Sequence, residues 1–150
     1  MRALLKVRYR FDDPRVARLL DRQARAGLNR YGATVRMYAR RSIRPRNRAS
    51  EPGQPPSSRT GKLRNLLFYA YDPSTRSVVV GPSIYGSPRG NTVPEILEYG
   101  GMSTIGVWRT RGGRVERERK AVKVLPRPFM QPVHDKLRPK LPAYVAGTIR

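Results

Sequence analysis

The chain contains no cysteine, which removes disulfides, thiolate metal sites and cysteine nucleophiles. It has a single histidine, His134, and only 10 acidic residues in 150. Those carboxylates are scattered, so no metal-ligand set or nucleophile–base pair stands out, and no catalysis and no cofactor are expected. No apolar run approaches the ~20 residues of a membrane-crossing helix. Met1 to Arg10 carries basic residues but no apolar stretch of signal-peptide length. A soluble protein, not exported by itself and without membrane contact, is expected. The missing cysteines agree with a reducing cytoplasm without fixing the compartment. The apolar fraction of 38% falls below the usual figure of about 45–50%. The length still suits one domain, residues 1–150, with a modest core.

The excess is cationic. Lys and Arg total 32, giving a formal charge of +22, and 26 of the 32 are arginine. Such a charge concentrates polyanions around the protein. Arginine also suits bidentate contacts to carboxylates at protein interfaces. Composition therefore leaves two partners open, acidic protein neighbours and nucleic acid.

Residues 3–11 alternate, with Leu5, Val7, Tyr9 and Phe11 on one side and Lys6, Arg8 and Arg10 on the other, the pattern of a strand with one buried face. Asp13 and Pro14 then supply a helix cap and first turn. Val16, Leu19, Leu20, Ala24, Leu28, Tyr31, Val35, Ala39 and Ile43 form one apolar stripe. Arginines 18, 22, 25 and 36 lie off that stripe. Pro45 ends the helix. Its length of roughly 45 Å is large for so small a domain, so one end is expected to project. Gly27 and Gly32 weaken its middle and mark a candidate bend.

Residues 45–61 are rich in Pro, Gly and Ser and read as a loop or a mobile arm. Lys62 to Arg64 open a helical turn. Residues 64–81 read as a β-hairpin turning through Asp72-Pro73-Ser74-Thr75. After a loop at 81–92, Val93–Tyr99 reads as a short helix ended by Gly100-Gly101. A basic hairpin at about 105–124 turns through Arg111-Gly112-Gly113-Arg114 and is expected to stand exposed. Phe129, Val133, Leu137, Leu141 and Tyr144 share one stripe of a C-terminal helix, which Pro139 and Pro142 should kink or end. The expected class is α+β: an antiparallel sheet of hairpins packed against a long N-terminal helix and a C-terminal helix.

His134 and Asp135 are adjacent on that helix and should point apart. Glu95 and Glu98, at i and i+3, are expected to pair with arginines rather than do acid–base work. Gly53 to Lys62 contains glycines and a lysine but departs from the phosphate-loop spacing. The aromatic residues are expected to serve packing rather than base stacking.

Four stretches in order resemble the tail-completion or neck (head–tail joining) protein family of tailed bacteriophages. The first is Pro52 to Pro56 running into Ser58-Arg59-Thr60-Gly61-Lys62-Leu63-Arg64. The second is a hairpin closing on Val78 to Pro82, the third Leu97-Glu98-Tyr99-Gly100-Gly101. The fourth is Arg127-Pro128-Phe129-Met130-Gln131-Pro132 before the last helix. The resemblance covers roughly residues 14–145. It implies a virion structural protein at the head–tail junction, assembled in the host cytoplasm, without catalysis or cofactor. The implied partners are other copies in a ring, as a hexamer, and neighbouring neck and tail proteins such as head-completion and tail-terminator proteins. Contact with packaged DNA stays open. Candidate interface residues are Arg18, Arg22, Arg25, Arg36, Arg59, Lys62, Arg111 and Arg114. A basic nucleic-acid-binding module is the alternative.

Overall fold

The computed structural model describes residues 13–83, 92–111 and 114–147, without the side chains of residues 111 and 114–116. The strand expected at residues 3–11 lies outside the described residues, as do most of the loop at 81–92 and the glycines at the tip of the second hairpin.

Helix α1 runs unbroken over Pro14–Ser42, about 43 Å at 1.5 Å per residue. Asp13 caps it, its carboxylate accepting from the Arg15 N–H at 2.8 Å, with Pro14 in the first turn. The helix is continuous across both glycines of the candidate bend. Gly27 and Gly32 are points of close approach. A methyl group on Gly27 would stand 2.8 Å from the Tyr144 carbonyl oxygen and 2.8 Å from the Val145 Cα, both backbone atoms. One on Gly32 would stand 2.5 Å from the Val78 side chain and 3.0 Å from the Tyr69 ring. The missing side chains let two other elements lie against the helix.

One of those elements is a hairpin. Helical turn α2 (Lys62–Asn65) leads into β1 (Leu67–Asp72), which pairs antiparallel with β2 (Ser77–Pro82). Leu67, Tyr69 and Tyr71 alternate onto the side that meets α1, opposite Pro82, Val80 and Val78. Phe68 and Val79 face away and are exposed. Asp72 fastens the turn: one carboxylate oxygen accepts from the Ser74 N–H and hydroxyl, the other from the Thr75 hydroxyl. These bonds to the charged form hold its pKa down at about 2.

The other element is the C-terminus. Prolines 139 and 142 break the expected helix into α4 (Gln131–Leu137), a 3-10 turn at Arg138–Lys140, and α5 (Leu141–Ala146). Each piece has a proline in its first turn, where the missing N–H costs no hydrogen bond. Phe129, Val133 and Leu137 are buried as expected, against Tyr31, Val35 and Ala39 of α1, Ile43 just past its end, and Leu67 of β1. Tyr31 and Tyr144 meet edge to face, with ring centroids 5.7 Å apart.

The apolar stripe of α1 is buried only over its second half. Val16, Leu19 and Leu20 are exposed, and the first buried residue is Gly27. The first three turns therefore extend beyond the core.

Residues 45–61 have no regular structure, yet they are fastened at several points rather than forming a free arm. Arg44 bridges to Ser57, whose hydroxyl donates to the Arg48 carbonyl at 2.6 Å. The Gly53 N–H donates to the Pro126 carbonyl at 2.8 Å, and Arg127 Nε to the Ser50 carbonyl at 2.9 Å. Pro56 is buried.

Helix α3 (Val93–Tyr99) ends at Gly100, whose φ of 79° lies in the left-handed region, and the chain passes directly into β3 (Gly101–Arg111). Its antiparallel partner is β4 (Arg114–Val124). The domain is α+β, and its two hairpins form two separate two-stranded sheets rather than one. Only β1–β2 lies against α1.

Candidate interaction surfaces

The four stretches behind the family resemblance hold joints of the fold. Glu98 shows this best. Its carboxylate accepts three backbone N–H groups at the start of α4: Phe129 at 3.0 Å, Met130 at 3.1 Å and Gln131 at 2.7 Å. These amides at a helix start have no partner of their own, so a carboxylate there supplies both hydrogen bonds and favourable charge. Glu95 closes a capping box with Thr92, whose N–H it accepts at 3.4 Å. The expectation that these glutamates pair with arginines is thus corrected: both take backbone amides. The Arg127 N–H donates to the Leu97 carbonyl at 2.6 Å, which ties the third stretch to the fourth.

A groove of about 570 Å³ lies between α1, β2, α3 and α4. Leu28, Val35, Val80, Met130 and Leu141 contribute its apolar walls, with Arg76, His134 and Arg138 among its polar members. Glu98 borders it, but its oxygens are engaged with α4. His134 and Asp135 do touch, contrary to expectation, at 3.4 Å between Nδ1 and Oδ1. Both are exposed, and Asp135 also accepts from Gln131 Nε2 at 2.9 Å. Among the described residues no three His, Asp or Glu side chains stand close enough to hold a metal ion. No described helix is long and apolar enough to cross a membrane.

The candidate interface arginines divide. Arg18 and Arg22 are exposed on the free end of α1, where Arg18 Nε donates to the Pro14 carbonyl at 3.1 Å. Arg25 lies over the Tyr71 ring, 5.1 Å from its centroid. Arg36 is half-buried, and its Nε donates to the Leu67 carbonyl at 2.6 Å, so it ties α1 to β1. That contact separates it from the other arginines that lie off the apolar stripe. Arg59 and Lys62 are exposed at the entry to α2. Arg111 and Arg114 pair across the end of the second hairpin by backbone register, so the structure does not gather the eight into one patch.

The second hairpin carries the feature that the sequence pattern did not single out. Trp108, the only tryptophan, is 67% exposed on β3. Arg117 on β4 lies opposite it in register, with its guanidinium carbon 5.9 Å from the ring centroid. A methyl group on Gly106 would stand 2.5 Å from Arg117 Nε, so the glycine opens the notch in which this arginine lies. Cross-strand pairing in the right register was the missing signal; a one-residue slip would put Arg117 on the opposite face.

Comparison of the chain with protein-family models, curated proteins and solved structures found no match.

Proposed function

We propose that the chain is a non-catalytic assembly subunit of a tailed phage particle, a tail-completion or neck protein at the head–tail junction. It acts by forming a ring and by gripping neighbouring neck and tail proteins. The observation that carries this reading is the division of the molecule into a small clamped core and two elements that leave it uncovered. One is the start of α1, where Leu19 and Leu20 are exposed beside Arg18 and Arg22. The other is the β3–β4 hairpin. A ring subunit needs two different faces that meet by rotation, and two separate projections on one core provide them.

The family resemblance supports the same reading. Its motifs fall on Glu98, Arg127 and Phe129, which close the core, so they describe how this fold is held together. The open groove beside α1 offers apolar surface to a neighbour. The particle is the site of action and the host cytoplasm the site of assembly. Deleting the gene from the phage genome that carries it should yield filled heads and separate tails, seen by negative-stain microscopy. Normal tailed particles from that deletion would refute the proposal.

A further inference from the structure

We propose that the outer face of the β3–β4 hairpin binds single-stranded nucleic acid, with Arg117, Arg119 and Lys123 on the phosphates and Trp108 under an unpaired base. The inference concerns the hairpin alone and stands whether or not the chain is a neck subunit.

Strand register sorts the hairpin into two chemically different faces. Residues directly opposite share a face, and faces alternate along each strand. One face holds Met102, Thr104, Gly106 and Trp108, opposite Lys123, Ala121, Arg119 and Arg117. Every one of these residues is exposed. The other face holds Ser103, Ile105, Val107 and Arg109, opposite Val122, Lys120, Glu118 and Glu116. Both glutamates of the hairpin occupy register positions of that second face, and Glu118 pairs with Arg109 at 3.1 Å. The outer face thus has three cations along one strand and no acid.

The spacing gives that face a direction. Arg117 and Arg119 are about 7 Å apart along β4, and Lys123 lies about 14 Å further on. They form a row of positive charge beside an exposed indole. Thr104 and Ala121 keep the surface between Arg119 and Lys123 low, so a flat chain can lie close there, while the Arg117 side chain fills the space over Gly106. An acidic peptide would answer the charges but leave the indole without a planar partner. A phosphate chain bearing free bases answers both, because bases stack on aromatic and guanidinium planes without regard to sequence. Duplex DNA hides its base faces and would have to unstack to use Trp108.

The sole tryptophan makes the test direct. The full chain is titrated with a fluorescein-labelled oligothymidylate of about 16 nucleotides, following Trp108 emission and label anisotropy from about 50 to about 200 mM salt. The expected result is quenching of Trp108 on binding. Replacing Arg117, Arg119 and Lys123 together by Gln should weaken binding at least about tenfold and flatten the log K against log salt slope by about 2. Trp108→Ala should weaken it about 5- to 150-fold. Replacing Arg15, Arg30 and Arg41, exposed on α1, by Gln removes the same charge and should cost less than about threefold. Circular dichroism checks that each variant is folded. Unchanged Trp108 emission, equal losses in the two triple variants, or equally tight binding of a matched duplex or of poly-glutamate would each overturn the proposal.

Discussion

The two hairpins share a topology and end in opposite situations. In β1–β2 one face is continuously apolar: Leu67, Tyr69 and Tyr71 against Val78 and Val80. That face meets α1 where Gly32 has no side chain, and Leu67 is fully buried. In β3–β4 each strand is nearly twice as long, 11 residues against 6, yet both faces interrupt their apolar residues with charge. Neither offers a stripe that gains by burial, so Ile105 and Trp108 remain in solvent. A turn and an alternating pattern are enough to form a hairpin; a face free of charge decides whether it joins a core.

That contrast can be broken most severely at Phe129. It is 1% exposed, at the meeting point of α1, β1 and α4. Phe129→Ala should cost about 3–5 kcal/mol in a denaturant titration, while Trp108→Ala on the free hairpin should leave the midpoint within about 0.5 kcal/mol. Equal losses would mean that the second hairpin is part of the core.

Gly27→Ala sharpens the comparison through its sign. In an exposed helix this change stabilises by roughly 1 kcal/mol. Here the methyl group meets the backbone of α5 at Tyr144 and Val145, which cannot move without shifting that helix. A loss of about 1–3 kcal/mol is expected, measured by thermal unfolding. A gain would show that α5 does not hold to α1 as described.

Arg36→Gln removes the bond to the Leu67 carbonyl and should cost about 1–3 kcal/mol. Replacing Arg18 and Arg22 by Gln should stay within about 0.5 kcal/mol. If all three behave alike in chemical denaturation, the arginine that ties β1 to α1 is no different from those on the free end.

The smallest effect is at the turn of the packed hairpin. Hydrogen bonds from Ser74 and Thr75 lower the Asp72 pKa to about 2, from an ordinary 3.8. A depressed carboxylate stabilises the fold above its unfolded pKa and loses that contribution as pH falls through the folded one. Wild-type protein should therefore lose stability between about pH 4 and pH 2, and Asp72→Asn should reduce that slope. Identical pH profiles would show that the turn bonds do not persist in solution.

Much of this was legible from residue patterns. Asp13-Pro14 announced the start of α1, because a capping carboxylate followed by proline satisfies that terminus locally. The turn at Asp72-Pro73, the buried stripe Phe129–Val133–Leu137 and the proline breaks in the last helix rest on equally short-range rules. The roles of Glu98 and Arg36 were not legible, since their partners lie 31 to 33 residues and 31 residues away. A carboxylate and a guanidinium in a basic chain suggest ion pairs; only the approach of distant backbone amides and carbonyls turned them into joints.

Sequence alone was enough for the class of the fold and for the order of the elements among the described residues, because caps, turns and periodicity act within a few residues. It did not say which half of the apolar stripe on α1 would be covered, that two glycines would be contact points, or that the two hairpins would form separate sheets. Those outcomes depend on which surfaces fit one another. Packing density leaves no room for a methyl group at Gly27 or Gly32, and the apolar side chains of the core come from one short hairpin, half of one helix and the C-terminal segment.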